Sequence, residues 1–170
     1  VESSGLTIPG IKSAQKLEIV NTFSPRANTA LSGIYASGVN LMSQCEAQGF
    51  RRITFFEDRP DVLARYTTVI RGSTEDYPVM LSNGNLTEDR MLEDGRREVT
   101  YVDPFPKPCY LFALVAGKLV SRASKFSLKD GRTVDLSVWV DPQDLDKTEH
   151  TLESLKLSLI HISEPTRLRR

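Results

Sequence analysis

The chain has 170 residues, enough for one ordinary domain with a real core, and its 39% hydrophobic and 26% charged content excludes collagen, coiled coil and a disordered tail. Basic and acidic residues number 22 each, so the formal net charge is zero and the basic footprint of a nucleic-acid or polybasic membrane binder is missing. No apolar run nears the roughly 18 residues that a membrane span needs, and no secretory signal pattern follows Val1, although the chain does not begin with Met.

The dominant period along the chain is two, the mark of half-buried strands. Noisy alternation predicts strands over 17–23 and 52–57, the second reached through a polar loop that starts at Ser43. Asp58-Arg59-Pro60-Asp61-Val62-Leu63 reads as a single helical turn, with Asp58 or Arg59 near its cap and Pro60 in the first turn. Further strands are expected over 65–70 and 98–102. Pro104, Pro106 and Pro108 then stiffen an extended lead-in to 110–116, which is continuously apolar and predicts a central strand covered on both faces. The cleanest alternation is Thr133 to Val140, with Val134, Leu136, Val138 and Val140 on one face and Thr133, Asp135, Ser137 and Trp139 on the other. Asn83-Gly84, Asp94-Gly95 and Asp130-Gly131 suit type I′ turns, in which both central residues take positive φ. The only longer helix expected is 144–156. The fold class is therefore all-β, an antiparallel sandwich or saddle.

The chemistry-bearing residues are few. A hydrolytic zinc site needs three protein ligands, commonly two of them on a His-Glu-x-x-His helix. No such motif is present, and His150 has no histidine partner at helical spacing, so it is expected on the solvated surface. Neither Cys45 nor Cys109 has a histidine beside it in sequence, and there is no Gly-x-Ser-x-Gly elbow and no Gly-rich phosphate loop. The expectation is two free, reduced thiols, a cytoplasmic setting, and no catalytic residue or metal ligand on this chain. Asn85-Leu86-Thr87 matches a glycosylation acceptor by coincidence of a short pattern. By pattern alone, Ser43 to Arg52 is a solvated acidic loop. These features also fit a free-standing β-sandwich module that binds a protein or a sugar without catalysis.

The last stretch breaks the preceding patterns. Leu157-Ser158-Leu159-Ile160-His161-Ile162-Ser163-Glu164-Pro165-Thr166-Arg167 reads as the translated end of a transposase-based sequencing-library adapter, with Leu168-Arg169-Arg170 as index sequence in the same frame. Residues 157–170 are accordingly read as an artefact and residues 1–156 as natural sequence. The tail carries three arginines and one glutamate, so leaving it out takes the net charge from zero to −2.

Five segments fall in one order: Asn28 to Tyr35, Gln44-Cys45-Glu46-Ala47-Gln48-Gly49-Phe50-Arg51, Asp58 to Thr68, Leu81-Ser82-Asn83-Gly84-Asn85, and Asp103 to Gly117. In order and spacing they resemble the N-terminal β-domain of bacterial aminopeptidase N, a family of zinc metalloaminopeptidases of the gluzincin type. The resemblance covers essentially everything up to Lys156. It implies a domain truncated at both ends, lacking its first strands and ending before the catalytic domain of the same chain. It implies that Gln44 and Glu46 bind the free α-amino group of a peptide substrate. Zinc and its ligands are implied in the intact parent, outside this chain, so the fragment by itself is expected to be inactive.

Overall fold

The computed structural model describes residues 6–10, 13 and 16–163, with the side chains of 161–163 left aside. The chain divides into two compact units, one ending at Gly117 and the other beginning at Lys118. The first carries β1 (Gly33–Ser37), β2 (Asn40–Gln44), β3 (Leu63–Ala64), β4 (Thr67–Gly72), β5 (Val79–Ser82), β6 (Asn85–Met91), β7 (Arg97–Val102), β8 (Lys107–Pro108) and β9 (Leu114–Gly117). They form a four-stranded sheet in the order β1-β2-β9-β5, a three-stranded sheet β4-β7-β6 and a short β3-β8 pair, all antiparallel.

Alternation along the strands sends one face of each larger sheet into a common core. Met80 on β5 and Ala116 on β9 meet Val99 and Tyr101 on β7, with Leu41, Ile70 and Tyr77 packed around them. The Tyr101 hydroxyl donates to the Met80 carbonyl at 2.9 Å, so a polar tip in an apolar layer is satisfied across the two sheets. On the opposite face of β7, Glu98 is nearly fully covered by two arginines that its register brings alongside, Arg71 on β4 and Arg90 on β6. Their hydrogen bonds hold the Glu98 carboxyl below its ordinary range. β6 lies at the edge of its sheet, exposed throughout, and its pairing with β7 slips by one residue between Leu86 and Glu88.

The second unit is a long hairpin and a helix. β10 (Val120–Ser127) pairs with β11 (Thr133–Val140) in register from Val120 opposite Val140 to Ser127 opposite Thr133. The face of β11 carrying Val134, Leu136, Val138 and Val140 is the covered one, as its alternation predicts. A 3-10 segment, Pro142–Lys147, leads into α1 (Thr148–Ser163). Thr148 opens α1 fully buried, donating to the Leu145 carbonyl at 2.6 Å and accepting from Arg122 Nε at 2.8 Å. Leu152, one turn later, continues the buried stripe. Helix therefore begins later than residue 144 and runs past 156 to Ser163, while residues 164–170 of the expected artefact lie outside the described residues.

Several local expectations fail. No strand forms over 17–23, where Leu17 and Val20 stay exposed, nor over 52–57, where Phe56 packs on the Phe50 and Tyr66 rings. The segment 58–63 is a turn closed by Val62 N–H donating to Arg59 O, not helix. Within 110–116 the first residues belong to a 3-10 turn, Cys109–Leu111, and only β9 is strand, although it is central in its sheet as expected. The Asp-Gly turns are not type I′, because only the glycine of each has positive φ. Gly95 N–H donates to Leu92 O and Leu92 N–H to Arg96 O, and Gly131, Leu128 and Arg132 repeat the arrangement. These are three-residue loops, a type I turn followed by a glycine in the left-handed region. Asn83-Gly84 is no hairpin at all, since β5 and β6 belong to different sheets.

Two substitutions test this core. Tyr101→Phe removes the inter-sheet bond and should cost about 1–2 kcal/mol, and Met80→Ala should cost about 2–5 kcal/mol. Urea unfolding reads both, and unchanged midpoints would contradict the packing.

Candidate functional site

β1 and β2 are joined by a two-residue loop, Gly38 and Val39, with Gly38 at φ 60°. Glycine at the first loop position with positive φ fits a type II′ hairpin. The hairpin delivers Gln44 as the last residue of β2, opposite Gly33. Immediately after it the chain buries Cys45, at 2% exposure, and then exposes Glu46. Gln44 and Glu46 thus stand on the solvent side of one turn with Cys45 between them pointing inward. The Gln44 side-chain amide donates to the Glu46 carbonyl at 3.3 Å, and the Glu46–Ala47 peptide is cis.

The turn closes through Gly49 N–H donating to Cys45 O at 2.7 Å. Glycine is required there by close approach. A Cβ would lie 2.3 Å from Gln44 O and 2.8 Å from Cys45 Cα, both backbone atoms that cannot swing aside. Phe50 follows, buried, and meets Phe56, Phe112 and Tyr66 edge-on with centroids at 5.2, 5.3 and 6.1 Å. Cys45, Phe50 and Cys109 form the apolar floor beneath the turn.

Asp58 is the charged member of this floor. Its side chain is 3% exposed and accepts from Arg51 N–H at 3.0 Å, Arg51 Nε at 3.1 Å and Cys109 Sγ at 3.0 Å. Arg51 Nη2 also donates to the Asp58 carbonyl at 3.0 Å. Burial pushes the Asp58 carboxyl up, but the Cys109 thiol and the Arg51 amide and guanidinium outweigh it, and the carboxyl is held below its ordinary range. Both thiols move the other way. Burial, with the Asp58 charge second, pushes Cys45 up to about 11. Burial, the bond donated to Asp58 and that carboxylate's charge push Cys109 up to about 12.

Protonated, buried thiols are poor nucleophiles and poor metal ligands. Cys45 and Cys109 are free, and among the described residues no group of three or more His, Cys, Asp or Glu side chains is arranged to hold a metal. The described residues therefore do not fit a zinc ion. His150 is exposed on α1, apart from any such cluster. No helix of the described residues is long and apolar enough to cross a membrane.

The exposed Gln44–Glu46 turn, the tight Gly49 seat and the aromatic floor all lie in the unit that ends at Gly117. The sequence model of the peptidase M1 N-terminal domain matches residues 3–111. The chain belongs to this family. Aminopeptidase N of Escherichia coli (strain K12) is 49% identical over 158 residues, which is 93% of this chain and 18% of that protein. The crystal structure of Legionella pneumophila aminopeptidase A in complex with aspartic acid superposes with a TM-score of 0.77 at 38% identity, covering 83% of this chain and 17% of that one. A mutant M1 zinc metallopeptidase from Deinococcus radiodurans, solved with a Tyr-Ser-Ala substrate, shares the fold at 20% identity and a TM-score of 0.57, over 70% of this chain and 28% of that one. The chain thus spans less than a third of the length of each of these relatives. Their likeness establishes the antiparallel fold of a peptidase M1 N-terminal domain.

Sequence reasoning brought Gln44 and Glu46 forward and missed what holds them. Asp58 lies 7 residues from Arg51 and 51 from Cys109, and no local pattern marks so distant a thiol as a donor. The one available signal was an aspartate one residue beyond the Phe55-Phe56-Glu57 stretch, in a segment read as a helix cap.

The Asp58 arrangement fixes a sign for pH dependence. Its folded pKa lies below the unfolded one, so its stabilisation is present at neutral pH and is lost as pH falls through the folded value. The unfolding free energy should decline on acidification through and below the ordinary carboxylate range, and Asp58→Asn should flatten part of that decline. An identical acid limb in the variant, read by urea titrations at stepped pH, would remove Asp58 from the account.

Proposed function

We propose that this chain is the amine-recognising part of a zinc-dependent aminopeptidase, a cytoplasmic hydrolase that removes N-terminal residues from peptides. In this reading Gln44 and Glu46 receive the substrate's α-ammonium. The zinc, its ligands and the water-activating base belong to a catalytic domain of the same parent chain, outside residues 1–156. The observation that carries the reading is the turn itself, which exposes both Gln44 and Glu46 on its solvent side, above the buried floor of Cys45, Phe50 and Cys109.

The chemistry follows from charge. A free N-terminus is an ammonium with several N–H donors, whereas an interior peptide N–H is neutral and single. A carboxylate facing the ammonium gains a charge-assisted hydrogen bond worth about 1.5–3 kcal/mol, which is roughly a 10- to 100-fold preference for chain ends over interior bonds. Glu46 supplies that carboxylate, and Gln44 both accepts a further N–H and fixes the Glu46 backbone through its own amide. The result is an exopeptidase, because only a chain terminus satisfies the pair. Two protonated, unbridged thiols agree with a reducing cytoplasm. The reading of residues 157–170 as adapter-derived belongs to the same proposal, since it ends the natural sequence just short of the catalytic domain.

A chimera tests the reading. Residues 1–156 replace the matching segment of Escherichia coli aminopeptidase N, and hydrolysis of short peptides is followed with and without zinc. The unsubstituted chimera should be active, and Glu46→Gln should lower kcat/KM at least about tenfold, in line with one lost charged hydrogen bond. Undiminished activity in Glu46→Gln would sink the assignment. The isolated chain should cleave no peptide under either condition. Resequencing the source DNA beyond Lys156 checks the boundary, with an open frame into a His-Glu-x-x-His segment as the expected result.

A further inference from the structure

We infer that Asp58 is a positioning residue for the Gln44–Glu46 turn, acting through Arg51 and Cys109 to fix the direction in which Glu46 faces. The inference rests on the reading of Glu46 as the amine-binding group for its functional consequence, though not for its structural one.

The turn is held at its start and its end by different means. Its start is the sheet: β2 pairs with β1 and β9, and Ser43 Oγ accepts from Leu114 N–H at 2.8 Å. Its end is the residue pair Phe50 and Arg51, and Arg51 leaves the turn bound to Asp58 at three points. The second carboxylate oxygen of Asp58 is taken by Cys109, in the 3-10 turn after β8. Asp58 therefore ties the end of the turn to the Cys109 segment, 51 residues beyond Asp58 itself, which packs with Cys45, the residue buried between the two amine-binding candidates. Release of that tie leaves the end of the turn held only by the packing of Phe50 in the aromatic floor.

The donor count says why aspartate is needed. Each group reaching the carboxylate is a donor: the Arg51 amide, the Arg51 Nε–H and the Cys109 thiol. A carboxylate is acceptor-only and satisfies all of them. Asparagine has nearly the same volume but carries no charge, so Arg51 loses its ion pair, and the amide set in place of the other oxygen leaves Cys109 only as a weak sulfur acceptor. Asp58→Asn thus breaks the tie without emptying the floor.

Cys45 is the built-in reporter. Its thiol reacts with a disulfide reagent only when the turn opens, and mass spectrometry locates the labelled cysteine. In the intact chain, Asp58→Asn should raise the labelling rate of Cys45 at least tenfold above that of Val99→Ala, a core variant in the other cluster compared at denaturant concentrations giving equal stability. Equal Cys45 rates in the two variants would overturn the inference. Cys109→Ser, which keeps a donor, should label Cys45 as slowly as the parent chain, and Cys109→Ala should label it faster. In the chimera, Asp58→Asn should raise KM for a free N-terminus, and adding it to Glu46→Gln should cause little further loss, because both act on one contact. Fast Cys45 labelling together with a harmless Glu46→Gln would retain the positioning of the turn and reject the amine-binding reading. A damaging Glu46→Gln with slow Cys45 labelling would do the reverse.

Discussion

A carboxylate stays ionised inside a protein only when donors replace the water it has lost. Asp58 meets that condition with a backbone amide, a guanidinium and a thiol drawn from two separate stretches of chain. The surrounding aromatic floor depends on this solution, because Phe50, Phe56, Tyr66 and Phe112 can close over a charge only if it is fully partnered. The exposed turn above in turn depends on the floor. Gly49 permits the chain to pass within contact distance of its own backbone, and Phe50 anchors the turn into the aromatic layer.

Where periodicity reflects burial on a sheet, the sequence was readable. Residues 133–140 alternate because one face of β11 is covered and the other is open, and 98–102 alternates because Val99 and Tyr101 on one face of β7 enter the core. Where apolar residues serve a different end, the same pattern misled. Phe55 and Phe56 resemble strand residues, yet Phe56 is placed by ring-on-ring contact rather than by a ladder. The hairpin of β1 and β2 went unread because Gly38 was its sole punctuation, without the Asn-Gly or Asp-Gly pairs that marked the other turns. The two Asp-Gly pairs are hairpin turns as expected, though of another type, whereas Asn83-Gly84 is a bend that carries the chain from one sheet to another. Asp94 and Asp130 do not need positive φ, since each accepts from the arginine two residues on, at 3.0 Å, in a loop one residue longer.

The candidate site was legible in a different way. Nothing in the spacing of Gln44 and Glu46 distinguishes them from an ordinary polar loop, and the resemblance of ordered motifs alone brought them forward. The arrangement beneath them is non-local, joining residues 45, 50, 51, 58 and 109 by packing and hydrogen bonds. Such a cluster leaves no periodic trace, because each member sits in its own segment for reasons supplied by the others. The family match accounts for the presence of those segments in one chain, and the geometry accounts for what each contributes to the turn.

The slipped pairing of β6 carries a consequence of another kind. A sheet edge offers a row of unsatisfied amides and carbonyls on which a foreign strand can grow. At β6 the irregularity between Leu86 and Glu88 interrupts that row, and the charged run Glu88, Asp89 and Arg90 follows it directly. An incoming strand would meet a broken hydrogen-bond repeat beside a run of charged side chains. The outer sheet thus ends in a selvage, a border finished so that the weave does not extend into its neighbours.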